Sequence, residues 1–103
     1  MNLIVQYKCD DFRPQMEQNF TRYMAKMERW LERFDPDLVS LHACYEKHSR
    51  KKIYTVTLNL NLGSATLHAS ASNGEARFAL RHAFDELEMQ LSKHQRLARK
   101  DYE

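Results

Sequence analysis

Arg22, Lys26, Arg29 and Arg33 recur at i, i+4, i+7 and i+11. At about 100° per residue they fall within roughly 60° of arc on a helix, almost opposite a Met24/Leu31 seam. Glu17, Glu28 and Glu32 lie to one side of that row. Four cations with no acid among them repel at i, i+4, so the row costs the helix a little stability. A solvated face gains nothing from such sorting, whereas a surface that holds a polyanion does. A second basic run ends "FDELEMQLSKHQRLARK", residues 84–100, where Lys93, Arg96, Arg99 and Lys100 follow Asp85, Glu86 and Glu88. There the row most nearly opposite the apolar seam is His82, Glu86, Met89, Lys93, Arg96 and Lys100, basic only in its last two turns. Cations near a helix C-terminus gain about 0.3–1 kcal/mol each from the dipole. That accounts for part of the second run and for none of the first. Set side by side, the two rows and the basic loop "HSRKK" (48–52) would make one groove fit for a phosphate backbone.

Those residues need two helices and a sheet to hold them. "NLIVQYK" (2–8) reads as a strand, with Leu3, Val5 and Tyr7 alternating against Asn2, Gln6 and Lys8, blurred only by Ile4. Asp10 and Asp11 are candidate caps, and Pro14 suits a first helical turn. Met16, Phe20, Met24, Met27, Leu31 and Phe34 then predict an amphipathic helix from about 14 to 34, ended by Asp35-Pro36. "LVSLHACYEK" (38–47), "IYTVTLNLNL" (53–62) and "ATLHASAS" (65–72) alternate as antiparallel strands with one face covered, and Leu62-Gly63-Ser64 turns between the last two. Ser72 and Glu75 have the spacing of a capping box. Ala76, Leu80, Ala83, Phe84, Leu87, Leu91 and His94 follow on one helical face out to about residue 98. The expected fold is α+β in the order β-α-β-β-β-α, with two long helices on one face of a four-stranded sheet.

At 103 residues the chain has room for a single domain, 1–103, and not for a second core. The net charge of +2 is small, so any polyanion site must come from geometry. Residues 1–44 carry six basic and seven acidic side chains, 45–55 four and one, and 56–103 six of each. No basic n-region precedes an apolar run at the N-terminus, and no run approaches the ~20 residues of a membrane span. Cys9 and Cys44 read as free thiols of a cytoplasmic protein.

Other chemistries have less behind them. His42 and Cys44 share a strand face and His68 lies on another strand, but no paired structural-zinc spacing accompanies them, so no metal is expected. No phosphate loop, nucleophile elbow or H-E-x-x-H occurs, so neither an enzyme nor a cofactor nor a small-molecule substrate is expected. Met89 is expected to be exposed near Phe78, which would suit a protein contact.

"AKMERWLERF", "TLNLNLGSATLHASAS" and "FDELEMQLSKHQ", in this order and spacing, resemble the ribosome hibernation-promoting factor family, the ribosome-associated translation inhibitors. The resemblance spans about residues 2–97. It implies a domain that binds the small ribosomal subunit in the channel of mRNA and of A- and P-site tRNA, blocks initiation in stressed or stationary cells, and lays basic helix faces on ribosomal RNA. By position, Lys26 matches a basic site of the first helix, Lys93 and Arg96 match sites of the second, and His94 falls at the family's "KH" pair. Arg29 stands where some members are basic. Glu17 and Tyr23 stand where members usually carry Lys or Arg, and Glu86 and Met89 replace the Lys and Arg of the family's "DKLxRQL". Arg77 stands where Tyr is common and Arg81 where Asp is common. The match is to the short form without a C-terminal dimerisation domain or acidic tail. The expected RNA contacts are Arg22, Lys26, Arg29, Arg33, Lys93, Arg96, Arg99 and Lys100. The alternative is a protein-interaction module on the same fold with a degraded RNA face; generic double-stranded RNA binding is a third.

Overall fold

In a computed structural model, residues 2–8, 13–32, 34–48 and 50–100 are described, Tyr7, 13–16 and 95–100 by their backbone alone. Six elements follow the chain: β1 (Asn2–Tyr7), α1 (Arg13–Leu31), β2 (Ser40–His48), β3 (Ile53–Asn61), β4 (Thr66–Asn73) and α2 (Ala76–Lys100). The sheet order is β1-β2-β3-β4. Strands β2, β3 and β4 pair antiparallel, as their tight connections and alternation require. β1 instead runs parallel to β2, because a whole helix lies between them and returns the chain to its starting end. The sheet is therefore mixed.

Alternation decides which side of the sheet is covered. Val39, Leu41, Ala43 and Tyr45 of β2 and its approach are buried, with Tyr54, Val56, Leu58 and Leu60 of β3 and Leu62 beyond it. β4 contributes Ala69, with Leu67 and Ala71 half-buried. Both helices close this face: α1 through Phe20, Met24, Met27 and Leu31, α2 through Ala79, Leu80, Ala83, Phe84, Leu87 and Leu91. The opposite face is polar. Ser40, His42, Cys44 and Glu46 stand against Asn61, Asn59, Thr57 and Thr55, and those against Thr66, His68, Ser70 and Ser72. β1 is the poorly covered edge, with Leu3 47% and Ile4 56% exposed. Ile4 shares the polar face with His42, which is why it broke the expected alternation.

Two local expectations are corrected. Helix α1 ends at Leu31 rather than 34, and Phe34 is held by its N–H on the Leu31 carbonyl, 3.1 Å. Asp35 then makes the turn, its carboxylate accepting from the Asp37 N–H at 3.0 Å and its carbonyl from the Leu38 N–H at 2.9 Å. Ser72 does not cap α2. It remains in β4, where strand pairing turns its hydroxyl to the polar face and onto Thr55 Oγ1 at 2.8 Å. Asn73 takes the turn instead, its Oδ1 accepting from the Glu75 N–H at 3.0 Å. Asp10 and Asp11, the expected caps of α1, lie outside the described residues. At Gly63 the backbone has φ +87 and a Cβ would meet Leu38 Cβ at 3.2 Å, so the β3–β4 turn needs glycine on both counts.

The topology also fixes directions. α1 leaves from the end of β1 that pairs with Tyr45, and α2 leaves just past Asn73, which pairs with Tyr54. Both helices therefore begin at the end of the sheet where β2 turns into β3, and both run the same way to the other end.

Candidate nucleic-acid interface

Along α1, the buried Phe20, Met24, Met27 and Leu31 fix the inner side, so Arg22, Lys26 and Arg29 must project outward, and all three are exposed. Two contacts show how α1 is rotated. Tyr23 stacks on Phe84 of α2, with centroids 5.3 Å apart and planes at 16°, so that flank faces the second helix. Glu28 and Glu32, with Leu31, Phe34, Pro36 and Val39, line a depression of ≈ 220 Å³ on the opposite flank. The cations are thus separated from the acids of their own helix, the acids turned away from α2. Arg33 lies outside the described residues.

Helix α2 is oriented by two side chains as well. Glu88 faces α1, its Oε1 4.0 Å from Lys26 Nζ. Gln90 faces the free edge of the sheet, its Nε2 donating to the His68 carbonyl at 2.7 Å. At 100° per residue, Arg81, Asp85 and Ser92 share the flank of Glu88, whereas Glu86 and Lys93 share the flank of Gln90. Glu86 accepts from Gln90 Nε2 at 3.5 Å, which agrees with that placement. Met89 projects outward between the flanks, 58% exposed as expected. His94 packs on Phe34 instead, ring centroids 6.4 Å apart. For Arg96, Arg99 and Lys100 only the helical backbone is described.

The expected residues are therefore only partly brought together. Arg22, Lys26 and Arg29 form one outward row. Lys93 is exposed on the far shoulder of α2, beyond Met89, and does not enter the seam between the helices. The loop that was to be a third basic element of the same groove lies at the other end. Lys93 is 17 residues along α2 from Ala76, about 25 Å of helix, and the loop is beside Ala76. Sequence reasoning missed Glu88, the acid that reaches the seam, and named Glu86, which points away from it. Only the relative rotation of two helices distinguishes them. Arg81, noted in the sequence as standing where Asp is common, reaches 3.9 Å from Asp85 Oδ2 at i, i+4.

The ion pair across the seam, Lys26–Glu88, is long at 4.0 Å and its lysine is exposed, so it holds little energy, about 0–1 kcal/mol. Removing the seam acid should therefore help binding and leave folding alone. In Glu88→Gln, affinity for RNA should rise two- to fivefold while the melting temperature changes little; fluorescence anisotropy and a thermal melt read both. A fall in affinity would mean that Glu88 positions Lys26 instead of competing with phosphate.

Elsewhere on the polar face, the His68 ring is hydrogen-bonded to Asn59, which stands between it and His42 in the strand register, so His42, Cys44 and His68 do not converge. Burial pushes the Cys44 thiol up from its ordinary range, against the pull of the Lys8 ammonium. Lys8 itself is held above its usual value by its hydrogen bond to Glu46 Oε1, 3.2 Å. Among the described residues, no helix is long and apolar enough to cross a membrane.

The chain has counterparts among known proteins. The model of the family described as Sigma 54 modulation protein / S30EA ribosomal protein matches residues 3–99. The chain belongs to that family. It is the family of ribosome-associated factors to which the sequence resemblance pointed. No curated protein sequence matches the chain significantly. Among solved structures, a ribosomal subunit interface protein from Coxiella burnetii is similar at 22% identity and a TM-score of 0.66, covering 92% of this chain and 98% of its own. The N-terminal domain of Protein Y from Thermus thermophilus is similar at 15% identity and a TM-score of 0.61, covering 91% and 99%. Two of the positions where the sequence resemblance leads one to expect a cation have structural roles in this S30EA-family chain. Tyr23 is a seam residue, stacked on Phe84, where a cation would lose that packing. Glu86 is spent on Gln90 at the β4 edge, away from the α1 cations.

Proposed function

We propose that this S30EA-family protein is a ribosome hibernation factor: a cytoplasmic, one-domain inhibitor of translation that acts by occupancy rather than catalysis. It binds the small ribosomal subunit in the channel used by mRNA and tRNA and so blocks initiation. Its contacts are Arg22, Lys26 and Arg29 on α1, Arg33 just past that helix in the sequence, and Lys93, Arg96, Arg99 and Lys100 on α2, all to phosphates of ribosomal RNA. Family membership supports the ribosome as partner, as do the names carried by the two similar structures. The observation that carries the RNA contact is the outward row of Arg22, Lys26 and Arg29, with Glu28 and Glu32 turned to the far flank. Such sorting gives a local positive field that a net charge of +2 does not.

Co-sedimentation of the purified protein with small ribosomal subunits across a salt series tests this. Binding should fall with log salt by roughly 0.7 per phosphate contacted, as for single strands. Absence of binding at low salt would overturn it and favour a protein partner at the exposed Phe78 and Met89 of α2.

A further inference from the structure

Far from the helix row, the hairpin between β2 and β3 carries a second concentration of positive charge. Residues 45–55 hold four basic side chains and one acidic, a net +3 in eleven positions. The chain folds them around a depression of ≈ 580 Å³ lined by Lys47, His48, Arg50, Lys51, Ile53, Thr55 and Ser72. No acid lines it. The one acid of the segment, Glu46, is held by Lys8 at 3.2 Å. The floor supplies hydroxyls, since Thr55 and Ser72 lie opposite each other in the β3–β4 register and are hydrogen-bonded at 2.8 Å. The turn that presents the cations is tight, with Lys52 at φ 48, a left-handed conformation uncommon for a residue with a Cβ. His48, Arg50 and Lys51 are exposed. Exposed cations beside paired hydroxyls match a phosphate group, which accepts both charge-assisted and neutral hydrogen bonds.

This depression is no extension of the helix row. It lies on the polar face of the sheet, at the end where α2 begins against the other face, and Lys93 is about 25 Å further along that helix. The molecule is 51 Å in its longest dimension, so two separate stretches of backbone can be held at once. The geometry points to a second phosphodiester site at the β2–β3 hairpin, formed by His48, Arg50, Lys51, Thr55 and Ser72, which grips a strand of RNA other than the one on the helices. It rests on the reading of the protein as an RNA binder, and makes it a bridge between two RNA segments instead of a single-sided plug.

The test is an amide NMR titration with a single-stranded RNA hexanucleotide at low salt. It compares the full chain, Arg50→Ser/Lys51→Ser, and the helix variant Lys26→Ser/Arg29→Ser/Lys93→Ser. Amides of the untouched sheet report that each variant is folded. RNA should shift His48, Ile53, Thr55 and Ser72 in the full chain and in the helix variant, and leave them unmoved in the hairpin variant. The hairpin variant should also lower the salt slope of ribosome binding by about 1.4, two phosphates at roughly 0.7 each. Shifts confined to α1 and α2 would overturn the hairpin site and leave the hibernation reading intact. Hairpin shifts with inorganic pyrophosphate and none with RNA would overturn the assignment to a nucleic-acid strand. Failure of the functional reading would show elsewhere, as loss of ribosome co-sedimentation by the full chain.

Discussion

Lys26→Glu/Arg29→Glu should bind small ribosomal subunits on the order of a hundredfold more weakly than the unaltered protein at physiological salt, and should melt at nearly the same temperature. The two effects differ in size for one reason. Lys26 repels Arg22 along the outward row but faces Glu88 across the seam, so that the acid at 26 turns one repulsion into an attraction and one attraction into a repulsion, helix pairs of this kind being worth about 0.2–0.5 kcal/mol each. Both side chains are exposed, and surface changes of this kind stay within about 0.5 kcal/mol. Binding responds far more strongly. Each lost phosphate contact removes a released counterion, and each new carboxylate repels the backbone it replaces. Sedimentation with subunits reads the first effect and a thermal melt the second. Unchanged binding in a folded variant would remove α1 from the interface. Weak binding in an unfolded variant would instead mean that the row does structural work which its exposure gives no hint of.

Phe84→Ala should destabilise the fold by about 3–5 kcal/mol. Phe84 is 1% exposed at the meeting point of the two helices. Its ring takes Phe20 edge-on, with centroids 5.5 Å apart at 66°, and stacks on Tyr23 from the other side. Each such ring pair contributes about 0.5–1.5 kcal/mol beyond the buried area, and truncation leaves a cavity as well. Small domains are stable by only about 5–15 kcal/mol, so this one residue holds a large share. Urea denaturation measures the loss from the midpoint at unchanged slope. Phe84→Leu keeps most of the volume and should cost clearly less. A small loss in Phe84→Ala would show that the helices are held by the sheet and scarcely by each other. The residue also matters to the interface, since the rotation of α1 against α2 decides whether Glu88 or Glu86 meets Lys26.

That rotation marks the boundary of what the sequence discloses. Leu58 and Leu60 alternate with Thr57 and Asn59, so strand and inner face can be read together, and Leu80, Leu87 and Leu91 give the inner stripe of α2 as directly. Periodicity locates a residue relative to its own element's core. It cannot say on which side the next element lies. Lys93 and Glu86 therefore looked like groove residues, although both lie on the shoulder toward β4. Likewise the basic hairpin and the basic end of α2 are both evident as strings, while their separation emerges only once β4 delivers the start of α2 to the hairpin. Ser72 and Asn73 illustrate the same limit at short range. Both are capping residue types, and strand pairing with Thr55 withdraws the first. The parallel entry of β1 was not read from the sequence, although a helix between two neighbouring strands is the connection a parallel pair requires.

Because the sheet is laid down in chain order, β2, β3 and β4 can zip together through two short turns, whereas β1 must find a partner nearly forty positions away, across α1. Closing that large loop costs entropy that the hairpins do not incur. β1 then returns little for it, attached along one side only, with Leu3 and Ile4 still half in water. Its detachment is the cheapest excursion the sheet can make, and it leaves the meander and both helices standing. The first strand of the chain is thus the last in assembly and the first to exchange its amide protons with solvent.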